Sequence, residues 1–185
     1  DGGTPTYSAT YGQGMGAGVT IKYDALTLGA YGSEIENNTP VAAGQDAVRD
    51  MFDGVWYAKY SMGPVSIGYS ESYLDQGTTG SAEAITTAKA VRTAGGFFES
   101  ESMSIAFNVN DNLSISYTET EDTYDAQDNA ATAIADVTMT TDAIQVAYSM
   151  GAMSIKAYNM DTKNNGYDSD VGDTSSTEIA LGLSF

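Results

Sequence analysis

Residues 102–119, SMSIAFNVNDNLSISYTE, contain two alternating segments separated by a short polar turn. In the first segment, apolar residues from Met103 to Val109 alternate with serine, alanine and asparagine. In the second, apolar residues from Leu113 to Tyr117 alternate with serine. A period of two residues is the pattern of a β-strand with one apolar face, and the Asp-Asn pair between the segments is typical of a tight turn. The stretch therefore predicts an antiparallel β-hairpin whose second face carries small polar side chains.

The same alternation recurs in three other hairpins and in a terminal strand. The tight turns of these hairpins lie at 24–25, 63–64 and 151–152, and the terminal strand is STEIALGLSF at 176–185. The segment TYSATY at 6–11 alternates more briefly and is a candidate for one further strand. The sequence therefore predicts about nine or ten antiparallel strands.

Short and long connections alternate along the chain. The long ones run roughly through 37–52, 75–96, 124–136 and 163–175, and they are acidic and rich in Asn, Asp, Gly and Thr. In an up-and-down arrangement every second connection lies at the same end of the strands. The pattern therefore predicts one all-β, up-and-down domain over residues 1–185, with tight turns at one end and long polar loops at the other. That domain is either a complete β-barrel or a fragment of a larger one.

The composition of the second face distinguishes a soluble sheet from a membrane barrel. In a soluble sheet the solvent-facing side chains are usually charged or long and polar. Here that phase carries mainly Ser, Thr, Ala and Asn, for example at Ser104, Ser114 and Ala147. A transmembrane barrel turns its apolar face to lipid and its polar face to the interior, and closure pairs every backbone group. Because ten strands enclose an interior that side chains mostly fill, we expect these strands to belong to a wider barrel.

Composition also excludes several functions. The net charge is −18, with 25 acidic and 7 basic residues, so nucleic acid is not an expected partner. The chain has no Cys and no His, which removes thiolate chemistry and the usual general base. No nucleophile and base can be assigned, so we do not expect an enzyme, and we expect no cofactor. The sequence contains no run of 18 or more apolar residues, so it predicts no membrane-spanning helix.

The chain resembles the carboxyl-terminal half of a Gram-negative general-diffusion porin. The resemblance rests on the terminal IALGLSF, on AYSMGAMSIKAYNMD at 147–161, on tight turns such as SMGP and on the long acidic loops. It implies part of a sixteen-stranded barrel, usually a trimer, in the bacterial outer membrane. It further implies that Leu181, Leu183 and Phe185 form the signal that the barrel-assembly machinery reads. No loop that folds into the pore can be identified from the sequence.

Three lysines lie on strands in the predicted lumen-facing phase: Lys22, Lys59 and Lys156. Opposite acidic loops they would create a field that sorts small hydrophilic solutes by charge, as rings of charged side chains do in channels. The alternative is that each lysine simply forms an ion pair with a carboxylate on the wall. Both arrangements are compatible with a pore.

Aromatic residues occur near the predicted strand ends at Trp56, Tyr60, Tyr69 and Tyr148, where a lipid-interface girdle needs them. Tyr158 is in the opposite phase and is expected to face the lumen. A Ca²⁺ site is one interpretation of the acidic segment before the terminal strand, and a solvated loop is the other. The carboxylates of that segment are Asp161, Asp168, Asp170 and Asp173.

The apolar phase is short for a membrane. It persists for about seven residues per strand before a carboxylate or amide, which at about 3.3 Å per residue and a tilt near 45° spans about 16 Å. An outer-membrane apolar band is about 25 Å tall. Bulges that flip the phase, or a face buried between protomers, would account for the difference.

Four functions are compared on this basis. The first is a water-filled outer-membrane channel for passive diffusion of small hydrophilic solutes and ions. The second is a barrel without a channel, whose long acidic loops bind a partner in adhesion, phage attachment or a structural role. A barrel enzyme is disfavoured by the missing histidine. A secreted soluble β-protein would be monomeric in water without detergent.

Overall fold

The computed structural model describes residues 11–37, 50–75, 77, 97–125 and 136–184. Within these ranges the chain forms nine β-strands and no helix, so the all-β prediction is confirmed. The strands are β1 (Tyr11–Tyr23), β2 (Leu26–Asn37), β3 (Met51–Met62), β4 (Val65–Asp75), β5 (Phe97–Asn110), β6 (Leu113–Asp125), β7 (Val137–Met150), β8 (Met153–Lys163) and β9 (Thr174–Leu183). No segment in the described ranges is a helix of the length and apolarity that crossing a membrane requires. Of the candidate strand at 6–11, only Tyr11 is described, and it opens β1.

The nine strands form one antiparallel sheet in chain order, from β1 at one edge to β9 at the other. Each strand pairs with its neighbours in sequence, so the up-and-down prediction is confirmed. The four tight turns lie at the predicted positions. Asp24, Gly63 and Gly151 occupy left-handed backbone conformations there, with φ of 51°, 55° and 58°. Gly and Asp tolerate this conformation better than most residues, which explains why they occur at these turns.

Residues that are paired across the ladder point to the same side, so the register divides the sheet into two faces. Face A contains the alternating apolar residues. On each strand, face A consists of one reference residue and every second residue on either side of it. The reference residues, in order from β1 to β9, are Ile21, Leu28, Ala58, Tyr69, Met103, Ile115, Val146, Ile155 and Leu181. Face B contains the residues between them, such as Lys59, Ser104 and Thr118.

The hairpins are staggered along the sheet, by one residue per strand on average. A row of register partners that begins at Leu26, the first residue of β2, passes through Tyr60, Ile67, Ile105, Tyr117, Ile144 and Asn159. Asn159 lies six residues beyond Met153, the first residue of β8, and six strand steps separate β2 from β8. A residue rises about 3.3 Å along a strand, and neighbouring strands are about 4.8 Å apart. If all the tight turns lie in one plane, a stagger of one residue per strand tilts the strands by about 35° from the normal to that plane.

Face A changes character along the strands. Near the tight turns it is apolar, and towards the long connections it carries Glu71, Glu101, Glu119, Asp142 and Asp161. The described register shifts lie elsewhere, at Tyr11/Gly14 and Asn108/Asn110. The expectation of phase-flipping bulges is therefore wrong, because the carboxylates follow the apolar residues on one face. At a tilt of about 35° the seven-residue apolar zone rises about 19 Å instead of 16 Å.

The described chain has almost no interior. Tyr124, 1% exposed, is the only large apolar side chain that is buried among the described residues, whereas twenty-five are exposed. Ile105, Phe107, Val146 and Leu183 are 46%, 43%, 36% and 58% exposed, so they do not form a dry centre. The protein is a single layer whose large apolar face has no cover within the described chain.

Candidate functional site

On the central strand β5, face B is less accessible than face A, although its side chains are smaller. Along β5, Ser100, Ser102, Ser104 and Ala106 are half-buried, while the face A residues between them are exposed. Side chains converge on the concave side of a curved sheet and spread apart on its convex side. The exposure pattern therefore indicates that the sheet curves towards face B, which makes face B the candidate functional surface.

The three lysines predicted to face the lumen all lie on face B and are exposed. Lys22 and Lys59 share one cross-strand row, with Thr27 between them. Two strand spacings separate them, which is about 10 Å. No ion pair within 4.0 Å joins any of the three to a carboxylate in the described ranges. The interpretation as wall ion pairs is therefore not supported by the described part of the chain.

Lys156 lies in a groove of about 480 Å³ on face B, between β5 and β9. The groove is lined by Gln145, Tyr158 and Glu178 among other residues, and the Tyr158 hydroxyl donates a hydrogen bond to Glu178 Oε2 at 3.0 Å. Tyr158 therefore lies on the face that its phase predicted. Glu178 was not anticipated as part of the site, although it occupies the same phase as Ala180 and Gly182 in the terminal strand. The groove presents one cation, one anion and neutral hydrogen-bonding groups on its surface.

Two tyrosine rings lie flat on face B over glycines of the preceding strand. A Cβ placed on Gly18 would be 2.1 Å from the Tyr31 ring, and one on Gly29 would be 2.3 Å from the Tyr57 ring. The two rings are parallel within 8°, with centroids 6.4 Å apart. Because Gly18 and Gly29 have no side chain, the tyrosine rings can lie against the surface of the sheet instead of projecting from it.

The four predicted girdle aromatics all lie on face A, with Tyr60 and Tyr148 close to the tight turns. Trp56 and Tyr69 lie at the edge of the apolar zone that is nearer the long connections, with ring centroids 5.4 Å apart. Both donate hydrogen bonds to Glu71, from Trp56 Nε1 at 2.9 Å and from the Tyr69 hydroxyl at 2.5 Å. The rings thus lie in the apolar zone, while their polar atoms reach the carboxylates that follow it towards the long connections, as interfacial aromatics do.

Tyr117 repeats this arrangement two strands further along. Its hydroxyl contacts Glu119 at 2.9 Å and Asp142 at 2.5 Å. The sequence placed Glu71 and Asp142 where the apolar phase ends, but it did not predict that aromatic side chains such as Tyr117 bond to them. These residues form the boundary of the apolar zone because cross-strand register, which the sequence does not state, brings the carboxylates beside the rings.

The remaining predicted residues have different outcomes. Leu181 and Leu183 lie on face A of β9, paired with Ile155 and Met153 and 62% and 58% exposed. Phe185 lies outside the described residues, so the role of this terminus in assembly stays a prediction.

The carboxylates of the acidic segment are not gathered into a metal centre. Asp161 lies on face A of β8, and Asp168, Asp170 and Asp173 lie in the connection between β8 and β9. Asp168 is buried, and its Oδ1 accepts a hydrogen bond from the Asp170 backbone N–H at 3.0 Å. In the described ranges there is no group of three or more acidic residues that is suited to hold a metal ion.

Comparison with known proteins adds no family. No protein-family model matches the chain, and no curated protein matches it. The functional interpretation therefore depends on the two faces described above.

Proposed function

We propose that this chain forms part of a water-filled, outer-membrane β-barrel channel for passive diffusion of small hydrophilic solutes and ions. The observation that carries the proposal is the inverted arrangement of the sheet, in which most of the exposed large apolar side chains lie on face A, while face B carries mainly small polar side chains that on β5 are half-buried. In this proposal face A contacts lipid and face B lines the pore.

The exposed apolar surface requires a partner. Soluble monomers rarely expose contiguous apolar patches above a few hundred Å². Here exposed large apolar residues on face A occur on eight of the nine strands, from Val19 and Ile21 on β1 to Leu181 on β9, and on β8 Ile155 is half-buried. Each such side chain contributes about 1.5–3 kcal/mol when fully removed from water. Hydrocarbon would cover the apolar zone of this face with no specific complementary surface.

The stagger of the strands supports a closed barrel. The tilt of about 35° lies in the range of about 35–45° that closed barrels show. Within the described residues, β1 and β9 each pair on one side only, and an unpaired strand edge does not occur in hydrocarbon. We propose that further strands close the barrel. The resemblance to porins implies sixteen strands and a homotrimer, with Leu181, Leu183 and Phe185 read by the assembly machinery.

The acidic zone of face A fits the edge of a membrane. Tyrosine and tryptophan side chains separate it from the apolar zone, and it lies on the side of the long connections. In the proposed orientation the apolar zone of about 19 Å is completed by these aromatic rings, and the carboxylates lie in the headgroup region. Protomer contacts would cover any part that lipid does not.

Transport needs no chemistry in this account. Strand residues of face B provide three lysines and the carboxylates of Asp53, Asp122 and Glu178 on a wall of small polar side chains. Pore width and wall charge then determine which solutes pass. We propose no catalytic residue and no cofactor.

Planar-bilayer recording of the full-length gene product, purified in detergent, tests the proposal. We expect stepwise, ohmic conductance increments in KCl. A folded protein that inserts into lipid but gives no conductance would favour the barrel without a channel, whose loops bind a partner. A protein that stays monomeric in water without detergent would contradict membrane insertion altogether.

A further inference from the structure

The connection between β8 and β9 crosses face B. We call residues 164–173 the crossing segment; β8 ends at Lys163 and β9 begins at Thr174. Neighbouring antiparallel strands can be joined by two to five residues, so this connection is longer than the join requires. The Asn164 side-chain Nδ2 donates a hydrogen bond at 2.7 Å to the backbone oxygen of Thr138 on β7. This bond joins the start of the segment to the neighbouring strand, because Thr138 lies two residues beyond Thr140, the register partner of Lys163.

Tyr167 carries the segment further, to β5 and β6. Its ring centroid is 5.4 Å from that of Phe98 and 6.2 Å from that of Tyr124. These two residues are register partners on face B, and their own rings meet edge to face at 5.0 Å. From β8 to β5 there are three strand spacings, which is about 14 Å. Phe98 and Tyr124 are each one residue from the end of their strands, so the contact reaches across three strand spacings at the long-connection end of face B.

The crossing segment is held in one conformation. Tyr124 is 1% exposed, and Thr162, at the end of β8, and Asp168 are buried as well. The Tyr167 N–H donates to the Asn164 carbonyl oxygen at 2.9 Å. Asn164 and Tyr167 both have left-handed backbones, with φ of 51° and 60°. Asparagine adopts this conformation readily, whereas a bulky residue such as Tyr167 keeps it only where the surroundings hold it, and here the Phe98 and Tyr124 rings pack against it.

The segment also carries negative charge. It contains three carboxylates and no basic residue, and Asp170 and Asp173 are exposed. The strand residues of face B carry Lys22, Lys59 and Lys156 against the three carboxylates of Asp53, Asp122 and Glu178. The exposed aspartates of the segment therefore add negative charge at the long-connection end of the sheet.

We propose that the crossing segment is a constriction element: it narrows the lumen on the side of the long connections, is anchored by Tyr167 on Phe98 and Tyr124, and favours cations through Asp170 and Asp173. This inference rests on the proposed channel function. A chain segment that lies across the wall reduces the open cross-section, and its exposed carboxylates attract cations at the narrowest point.

Single-channel recording of the full-length protein tests the anchor. Tyr167→Ala removes the ring that holds the segment, and we expect the conductance to rise about 1.5-fold because the open cross-section controls ion flow. Phe98→Ala should act similarly, and the double variant should exceed the larger single effect only slightly, since both remove one contact. Tyr167→Phe keeps the ring and Tyr148→Ala changes face A, so both should conduct like the wild type.

Charge provides an independent measurement. Asp170→Asn with Asp173→Asn should shift the reversal potential in a KCl gradient towards anions, with the conductance changed less than by Tyr167→Ala. A conducting wild type whose Tyr167→Ala and aspartate variants fold and behave identically to it would overturn the inference and leave the channel proposal intact. A silent wild type with a conducting Tyr167→Ala variant would support the segment as a plug. Silence of both in correctly inserted protein would overturn both proposals.

Discussion

Ile105→Arg and Ser104→Arg place the same charge at adjacent positions on opposite faces of β5. Ile105 lies on face A between Ile67 and Tyr117 and is 46% exposed. Ser104 lies on face B in the row of Gly68 and Thr118. An arginine at the lipid-facing midplane of an outer-membrane barrel costs about 2–4 kcal/mol, and this cost falls towards zero at the interfaces. Because Ile105 is near the middle of the apolar zone, we expect about 3 kcal/mol for Ile105→Arg. We expect close to zero for Ser104→Arg, whose guanidinium would extend into a wet lumen.

Equilibrium urea unfolding of the full-length protein in lipid vesicles measures this difference. Trp56, the only tryptophan of the chain, provides the fluorescence signal. A cost of 3 kcal/mol changes the unfolding equilibrium constant on the order of 100-fold. Ile105→Gln, which removes the apolar side chain without adding a charge, separates the charge from the loss of packing. The reasoning is refuted if Ser104→Arg destabilises the protein more than Ile105→Arg, because face B would then be the dry side.

Three further predictions concern the wall and the boundary. Replacing Lys22, Lys59 and Lys156 together with Glu should shift the reversal potential in a KCl gradient towards cations, and no shift would remove the lysines from the account of selectivity. Gly29→Ala should lower the free energy of unfolding in urea by about 1–3 kcal/mol because the new methyl group overlaps the Tyr57 ring. Combining it with Tyr57→Ala should recover part of that cost, and equal costs in both backgrounds would contradict the close approach of the ring to Gly29. Glu101 lies between Glu71 and Glu121 in register. Because like charges that face each other across strands repel, Glu101→Gln should stabilise the protein by about 0.2–1 kcal/mol at low salt and less at high salt. Destabilisation would show that the Glu101 carboxylate has a favourable partner.

Alternation was sufficient to predict the four hairpins, their turns and the terminal strand, but it did not predict that β1 extends back to Tyr11 through the glycine-rich stretch at 12–18. A period of two residues assigns each side chain to a side without knowledge of its neighbours, which is why Lys22, Lys59, Lys156 and Tyr158 were expected to share one face and do share it. The four tight turns followed from Gly, Asp and Asn residues at the points where the phase restarts. These features are local, and local sequence determines them.

Features that depend on pairing between distant strands were not predicted. The contact of Tyr167 with Phe98 and Tyr124 joins the β8–β9 connection to β5 and β6. A signal was present, because Phe98 and Tyr124 are large aromatics in a phase otherwise occupied by small residues. That signal shows that something covers them, but it does not identify the covering segment. The Tyr57 ring over Gly29 and the stagger of the strands likewise require the register.

Site-directed spin labelling of single cysteines at residues 102–107 tests the orientation of the sheet most directly, since the chain has no cysteine of its own. With the full-length protein in lipid vesicles, we predict that labels at 103, 105 and 107 collide with oxygen dissolved in hydrocarbon. Labels at 102, 104 and 106 should instead collide with a water-soluble nickel complex. The opposite phase, or equal access of both reagents at all six positions, would contradict the assignment of face A to lipid and face B to water.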